Sequence, residues 1–365
     1  MHFSPLSKKL FRDLWETKGQ ALAAALVVGA GVGLYILLLS TYWSLELTRE
    51  SYYERYRMAD IFVSCKRAPL NLRDSILKIP GVSQVQARVV ADVTLEVEGL
   101  DEPALGRLVS LPEGNEPGLC GIFLRKGRLP KKDSPDEVLA SENFFRANKL
   151  RLGDSFFTVI NEKKRKLKIV GVALSPEYVY AIRPGEIFPD DKRFGIFWMN
   201  RRALASAFNM EGGFNSLLVK LRKGFKARGV IERLDKILER YGGIGALPKE
   251  RQISNWYLSN ELKQLKSWGT VVPAVFLFVA GFLVNIALSR LVAVQRRQIG
   301  VLKALGYTDG QIALHYLSWA LFVCTLGSAL GVAVGIRFGK GLTELYAQFF
   351  RFPFLIYQLL SLIHI

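Results

Sequence analysis

Side chains that could make or break covalent bonds are few in this sequence, and they are scattered. Its three histidines lie far apart along the chain: His2, His315 and His364. Gly339-Lys340-Gly341 lacks the spacing and the following hydroxyl residue of a phosphate-binding loop. HExxH, GxSxG, paired CxxC and EF-hand patterns do not occur. The sequence therefore predicts no catalytic site, metal or cofactor, and we expect any energy for its work to come from a partner protein.

A different kind of site is indicated by residues 290–311, a basic segment between two long apolar runs. It carries four cations against one acid: Arg290, Arg296, Arg297 and Lys303 against Asp309. A short loop with this bias between two membrane spans stays in the cytoplasm. The charge pattern therefore predicts a cytoplasmic loop.

The same segment has the pattern of a short amphipathic helix. Ile299, Leu302 and Leu305 recur at i, i+3 and i+6 and so predict an apolar stripe. Gly306 supplies a stop for this helix, and Thr308 with Gln311 has the capping-box spacing that starts the next helix. Such a helix has the shape to fit a groove on a soluble partner. The alternative is an interfacial turn whose leucines lie among lipid headgroups.

The composition is typical of a membrane protein with a large soluble domain. The chain has 365 residues, of which 50% are hydrophobic, and a formal net charge of +18. Of that charge, +11 falls in residues 46–268, where no nucleic-acid motif or aromatic-interleaved basic stripe occurs. We therefore expect a solvated basic face near anionic lipid and no nucleic-acid binding.

The apolar runs divide the chain into segments. They predict a multi-pass α-helical membrane protein with a large α+β extracytoplasmic domain inserted between transmembrane helices 1 and 2. In chain order we expect a cytoplasmic amphipathic helix (1–19), transmembrane helix 1 (20–45), the extracytoplasmic α+β domain (46–267), transmembrane helix 2 (268–289), a cytoplasmic coupling-helix loop (290–311), transmembrane helix 3 (312–336), an extracytoplasmic loop (337–351) and the start of a truncated transmembrane helix 4 (352–365).

Two ladders of small residues mark the predicted spans. The first span carries small residues at every fourth position: Ala21, Ala25, Gly29 and Gly33. The third span and its extension carry a second such set: Gly327, Gly331, Gly335 and Gly339. Small residues on one helix face allow close helix–helix approach, so we expect these ladders to pack within or between subunits. We expect His315, about one turn into the third span, to hold position rather than to carry a substrate.

The middle domain mixes helices and strands without a repeating βαβ rhythm, which predicts an α+β fold in one or two subdomains. The clearest elements are two strands over 82–97, a hairpin over 156–172 with its turn at 161–166, and a strand over 194–199. The loop at 175–195 has two interpretations, a functional loop or a surface loop packing its own aromatics. Cys65 and Cys120 could form a disulfide if the domain is extracytoplasmic, and this stays open.

The run Arg-Arg-Gln-Ile-Gly-Val-Leu-Lys-Ala-Leu-Gly-Tyr at 296–307 resembles the FtsX-like permease family of ATP-binding cassette systems, which includes macrolide-exporter and lipoprotein-releasing permeases. Glu-Val-Leu-Ala-Ser-Glu at 137–142, Leu-Gly-Asp at 152–154 and Ile-Val-Gly-Val at 169–172 are similar to that family's extracytoplasmic domain. Three further stretches, 11–15, 18–22 and 175–178, look like the long bacterial members that duplicate the whole unit. The resemblance therefore implies the first half of such a member.

The resemblance implies a mechanotransmission permease. A cytoplasmic ABC-type ATPase would bind the loop helix, and its ATP-driven closure would move the spans and the outside domain to export or extract a substrate. The residues implied in ATPase coupling are Arg296, Arg297, Gln298, Ile299, Gly300, Leu302, Lys303, Leu305, Gly306 and Tyr307. We expect Ile299, Leu302 and Leu305 to insert into the ATPase groove, and Arg297 and Lys303 to pair with acids at its rim.

The other partners implied are a second permease copy or second half, an extracytoplasmic partner and membrane lipid, with the protein in the bacterial inner membrane. Two other functions stay open. One is a non-transporting regulator of a cell-envelope hydrolase, which would act through the outside domain. The other is an ATPase-independent membrane receptor, although a signalling module rather than a short loop and another span should then follow the second span. A lipid-associated anchor would leave the predicted coupling helix without a purpose.

Overall fold

The fold was analysed in a computed structural model, which describes residues 5–97, 102–113 and 118–358. The chain forms two compact units. The helical unit comprises residues 1–47, 261–346 and 356–365, and the sheet unit comprises residues 48–260 and 347–355. In the described residues the α-helices are α1 (Pro5–Glu16), α2 (Lys18–Arg55), α3 (Leu72–Leu77), α4 (Glu142–Ala147), α5 (Arg201–Ala207), α6 (Ala227–Leu238), α7 (Ile253–Val294), α8 (Arg296–Ala304) and α9 (Asp309–Phe349).

The strands all belong to the sheet unit. They are β1 (Ile61–Pro69), β2 (Val82–Arg88), β3 (Val90–Glu96), β4 (Ala104–Ser110), β5 (Phe123–Gly127), β6 (Glu137–Ser141), β7 (Ser155–Ile160), β8 (Lys163–Leu174), β9 (Phe194–Met199), β10 (Gly213–Leu221) and β11 (Ala246–Pro248). Short 3₁₀ turns lie at Pro176–Tyr178, Glu239–Tyr241 and Lys249–Arg251.

Three helices, α2, α7 and α9, are long and apolar enough to cross a membrane. Each continues well past its predicted span. Helix α2 extends to Arg55, beyond the predicted end of the first span at residue 45, and helix α7 begins at Ile253, before the predicted start of the second span at residue 268. Long helices without a break therefore carry the chain into and out of the predicted spans.

The predicted loop over 337–351 is wrong for most of its length, because α9 stays helical through Phe349. The extension packs against α2. Thr343 is fully buried, its hydroxyl donates to the Gly339 carbonyl at 2.8 Å, and its oxygen lies 3.3 Å from the Thr41 hydroxyl oxygen. Residues 352–358 form no helix. The rest of the predicted fourth span, 359–365, lies outside the described residues.

A four-stranded antiparallel sheet, in the order β11-β1-β10-β2, forms one half of the sheet unit. Helices α3 and α6 cover one face. In α6, Val230, Leu234 and Leu238 recur at i, i+4 and i+8 and are all buried. This half therefore has a core of its own.

A seven-stranded mixed sheet, in the order β5-β8-β6-β9-β4-β3-β7, forms the other half. Strand β7 also pairs with the first part of β8, so the strands close on themselves like a barrel. The β4–β9 and β6–β8 pairs are parallel. All six residues of β9 are buried, as expected for a strand covered on both faces.

Several sequence predictions for this unit are confirmed, and two are refined. The strand over 194–199 is β9, and the hairpin over 156–172 is β7–β8. Its turn is only Asn161 and Glu162, both with positive φ, so residues 163–166 already belong to β8. The two strands over 82–97 are β2 and β3, but they lie in different sheets. The unit is α+β with two subdomains.

Candidate site at the α7–α8–α9 turn

Helix α8 is held between α7 and α9 by defined turns. Gln295 separates α7 from α8 with a non-helical backbone (φ −91°, ψ 14°). Gly306, at φ 91°, ends the helix, and its N–H donates to the Lys303 carbonyl at 3.0 Å. The predicted capping box is confirmed, because the Thr308 N–H donates to Gln311 Oε1 at 3.0 Å and the Gln311 N–H donates to Thr308 Oγ1 at 3.4 Å. Helix α8 is therefore bounded by turns at Gln295 and Gly306, and the capping box starts α9.

The two apolar sides of α8 face different surroundings. Ile299 and Leu302 are half-buried and pack against a cluster of α2, α7 and α9 side chains, as does Tyr307. Val301 and Leu305 are instead 60% and 72% exposed. The three residues of the predicted stripe are therefore divided, with Ile299 and Leu302 against the protein's own cluster and Leu305 exposed. Helix α8 ends at Ala304, so Leu305 no longer follows the helical stripe. Ile299 and Leu302 remain on the helix and pack into the core of the helical unit.

The charges of this turn lie on the outer side. Most residues predicted to contact an ATPase are exposed: Arg296, Arg297, Gln298, Gly300, Lys303, Leu305 and Gly306. Lys303 Nζ pairs with Asp309 Oδ1 at 2.5 Å, so this lysine already has an internal partner. Both side chains of that pair are more than half exposed, and such pairs contribute only about 0–1 kcal/mol. The Lys303–Asp309 pair therefore adds little to the stability of the turn.

A buried polar network lies beside α8, and the sequence predictions missed most of it. Asp13 of α1 contacts three side chains. Lys9 Nζ and His315 Nε2 lie 2.5 Å and 3.1 Å from its Oδ2, and Gln295 Nε2 donates to its Oδ1 at 2.9 Å. Gln295 Oε1 in turn accepts from Lys9 Nζ at 2.6 Å and from the Tyr316 hydroxyl at 2.9 Å. The network joins α1, the α7–α8 junction and α9.

Electrostatics favour the ionised form of Asp13. Burial by itself raises the pKa of this carboxyl, but hydrogen bonds from Lys9, His315 and Gln295 outweigh burial and hold its pKa below the ordinary value. A sequence signal for the site existed. Asp13 lies between Leu10 and Leu14 on the apolar face of α1, where an unpaired charge would be costly.

The two small-residue ladders meet each other within the chain. A methyl group added at Gly327 would lie 2.4 Å from the Ala25 carbonyl oxygen, and one at Gly335 would lie 2.7 Å from the Gly33 carbonyl oxygen. Gly29 faces both Gly327 and Gly331. Ala21, at the start of the ladder, packs against the apolar cluster beside α8. Helices α2 and α9 are therefore in backbone contact along the ladder.

In the sheet unit, the first turn of the 175–195 loop is locked by a buried ion pair. Arg88 Nη1 and Nη2 donate to Glu177 Oε2 and Oε1 at 2.5 Å and 2.6 Å, and Arg88 Nε donates to Ser216 Oγ at 3.0 Å. Ile187 and Phe188, later in the loop, are 67% and 78% exposed. The loop is thus anchored at its start, while two of its apolar side chains face outward.

Both cysteines of the sheet unit are free in the structure. Burial raises the pKa of the Cys65 thiol to about 11 and that of the Cys120 thiol to about 12. At pH 8 both are neutral thiols, which are poor nucleophiles. In residues 5–97, 102–113 and 118–358, no three His, Cys, Asp or Glu side chains are placed to hold a metal ion.

These thiols give a direct prediction. Iodoacetamide at pH 8 is expected to label Cys65 and Cys120 in the folded chain at least about tenfold more slowly than in urea, because raised pKa values deplete the thiolate. Peptide mass spectrometry under non-reducing conditions measures both labelling and pairing. A Cys65–Cys120 disulfide peptide, or equally fast labelling in both states, would contradict the free, buried thiols.

Comparison with known proteins is consistent with this architecture. The family described as FtsX-like permease C-terminal matches residues 270–365. A macrolide export ATP-binding/permease protein MacB of Escherichia coli O157:H7 is 24% identical over 147 residues, covering 38% of this chain and 22% of that protein. MacB 1 of Yersinia pestis bv. Antiqua (strain Antiqua) is 22% identical over 159 residues, covering 43% of this chain and 24% of that protein. The chain thus spans about a quarter of the length of these relatives.

Solved extracytoplasmic domains show a weak likeness. The match to the extracellular domain of the noncanonic ABC-type transporter YknZ from Gram-positive bacteria covers 52% of this chain and 98% of that domain's chain. The sequence identity is 10% and the TM-score is 0.34. The periplasmic region of MacB from Actinobacillus actinomycetemcomitans covers 58% and 95%, with 12% identity and a TM-score of 0.34. The resemblance predicted from 296–307 is confirmed by the family match over 270–365. Residues 270–365 of this chain therefore carry an FtsX-like permease C-terminal domain, and the chain as a whole is similar to ABC-type permeases.

Proposed function

We propose that this chain is a permease subunit of an ATP-binding cassette transporter and that a cytoplasmic ATPase docks on α8. The observation that carries the proposal is the geometry of α8, a short helix between the turns at Gln295 and Gly306 with Val301 and Leu305 facing outward. It lies within the segment that matches the FtsX-like permease C-terminal family. A rigid, outward-facing apolar and basic helix suits a groove with acids at its rim.

The docking residues differ from those first expected. Val301 and Leu305 would be the apolar anchors, because they are the exposed apolar side chains of α8 and its last turn. Arg296 and Arg297 would pair with acids of the ATPase. Ile299 and Leu302 would instead connect α8 to the spans, since both pack on the cluster formed by α2, α7 and α9.

This arrangement supports transmission of motion. A push on α8 would reach α2, α7 and α9 by direct side-chain contact. Helices α2 and α7 continue unbroken beyond their predicted spans, so motion of the spans would pass along these helices. We propose that the motion serves export or extraction of a substrate in a bacterial inner membrane. A second permease copy or second half would complete the transporter, and an extracytoplasmic partner would act at the outside domain.

Substitution of the two anchors tests the docking. Val301→Asp and Leu305→Asp are each expected to reduce the amount of ATPase recovered with the tagged chain by at least about tenfold, because a carboxylate would be buried in an apolar contact. The measurement is a pull-down from native membranes with mass spectrometry of the recovered proteins. Leu302→Asp would be a poor test, since Leu302 belongs to the internal cluster.

Ile244→Asp is the matched control. Ile244 is 81% exposed and belongs to the sheet unit, so this variant makes the same chemical change outside the helical unit. Recovery of the ATPase should be unchanged in this variant. Undiminished ATPase with both α8 variants would contradict docking on α8, and the absence of any ATPase with the unaltered chain would contradict the proposed function itself.

A further inference from the structure

We propose that Asp13 is a positioning residue that fastens α1 to the α7–α8 junction, so that α1 and α8 move as one body when the ATPase acts. This inference rests on the proposed function, because it concerns how motion of α8 is shared. It assigns a role to the amino-terminal helix that goes beyond lying at the membrane surface. The argument comes from the contacts of Gln295 and Asp13.

Gln295 is the pivot of the turn. Its N–H donates to the Leu291 carbonyl at 3.0 Å, and its carbonyl accepts from the Ile299 N–H at 3.0 Å, so its backbone belongs to both helices. Its side-chain amide is used at both ends, by Asp13 through Nε2 and by Lys9 and Tyr316 through Oε1. A rotation of α8 about this residue would have to break or carry along those bonds.

Asp13 is the group on which the attachment depends. Its side chain is 1% exposed, and both carboxylate oxygens are used. Its contacts lie on three helices: Lys9 on α1 itself, Gln295 at the start of α8 and His315 on α9. A second hydrogen bond lies about one turn further along the chain from Asp13. There Trp319 Nε1 of α9 donates to Thr17 Oγ1 at 3.2 Å, which also holds the end of α1 against α9.

The choice of polar groups here points to orientation rather than to added stability. A buried ion pair contributes little net free energy, and apolar residues of similar volume are often as stabilising. Leu10 and Leu14 already supply apolar contact between α1 and the spans, but such contact is non-directional and permits sliding. The directional bonds of Asp13 allow one register of α1 against Gln295.

The test measures the order of α1 relative to α8 in the full-length chain. Spin labels at Glu16→Cys and Ala304→Cys, both exposed positions, would report one narrow distance in a chain that carries no other change. Asp13→Asn removes the charge that holds Lys9 and His315, and the width of the distance distribution is expected to increase at least about twofold. Lys9→Met should act in the same direction. With the ATPase bound, the distance between the two labels should stay constant through the ATP cycle in the chain that retains Asp13. In Asp13→Asn that distance should change during the cycle.

A compensated variant separates positioning from stability. Asp13→Leu combined with Lys9→Met replaces the ion pair by apolar groups, so the chain should fold with a similar thermal midpoint while the distance stays broad. Lys8→Gln, an exposed change on the same helix, is the matched control and should leave the distance narrow. A narrow distance in both Asp13 variants would overturn the inference. The distance between the spin labels is measured without the ATPase. Failure of this inference can therefore be told apart from failure of the proposed function, in which the unaltered chain would recover no ATPase.

Discussion

Replacement of Gly331 by leucine is expected to reduce the yield of monodisperse protein in detergent by at least about tenfold, because two helices could no longer approach each other. A Cβ atom at this position would lie 2.5 Å from the Gly29 carbonyl oxygen and 3.0 Å from the Gly33 nitrogen. Both are backbone atoms that cannot move aside without moving α2. The helices would have to separate, and the contacts at Gly327 and Gly335 would be lost as well.

Gly281→Leu provides the control for this prediction. Gly281 lies on α7, the other long apolar helix of the turn, and an added Cβ would meet nothing within 4 Å. The two variants therefore add the same apolar side chain to a glycine of a membrane helix. Size-exclusion chromatography after solubilisation measures the yield. Equal yields for Gly331→Leu and Gly281→Leu would show that the α2–α9 contact does not hold the helical unit together.

The second large effect is expected in the sheet unit. Glu177→Ala should lower the free energy of unfolding of this unit by about 3–5 kcal/mol, because it leaves the Arg88 guanidinium charged and unpaired in the interior. Arg88 is only 6% exposed, and burial opposes its charge while Glu177 stabilises it and raises its pKa. Hydrogen exchange of the β2 and β10 amides in the full-length chain reports the change, since Arg88 ends β2 and contacts Ser216 of β10.

Two comparisons make this result specific. Glu232→Ala removes an exposed partner of Arg228, and it should change the free energy by no more than about 0.5 kcal/mol. Arg88→Met combined with Glu177→Leu removes both charges and should recover much of the loss. If the β2 and β10 amides exchanged as slowly in Glu177→Ala as in the unaltered chain, the Arg88–Glu177 ion pair would not be what anchors the 175–195 loop.

The inward packing of Ile299 and Leu302 changes how mutations near α8 should be interpreted. A polar residue at Leu302 would disturb the cluster of α2, α7 and α9, so loss of an ATPase could reflect a displaced α8 rather than a lost contact. Val301 and Leu305 do not have this ambiguity, because both are exposed. Docking is therefore tested at Val301 and Leu305 rather than at Ile299 and Leu302 of the predicted apolar stripe.

Features that depend on short-range pattern could be predicted from the sequence by itself. The three long apolar helices were visible as apolar runs, and the end of α8 at Gly306 and the capping box of Thr308 and Gln311 follow from residue type and spacing. Strand β9 could be located from six consecutive apolar residues. Hydrophobic periodicity, caps and turns act over a few residues, so the local sequence contains the information that they need.

Long-range pairings were decided by the tertiary structure alone. The local sequence does not indicate that β2 and β3, separated by one residue, belong to different sheets, or that α9 continues helical to Phe349 with Thr343 buried against Thr41. The same holds for the meeting of Gly29 with Gly327 and of Asp13 with Gln295. These contacts join groups hundreds of residues apart, and their free energy depends on which surfaces the rest of the chain brings together. Local pattern therefore determined the elements, and packing decided how they meet.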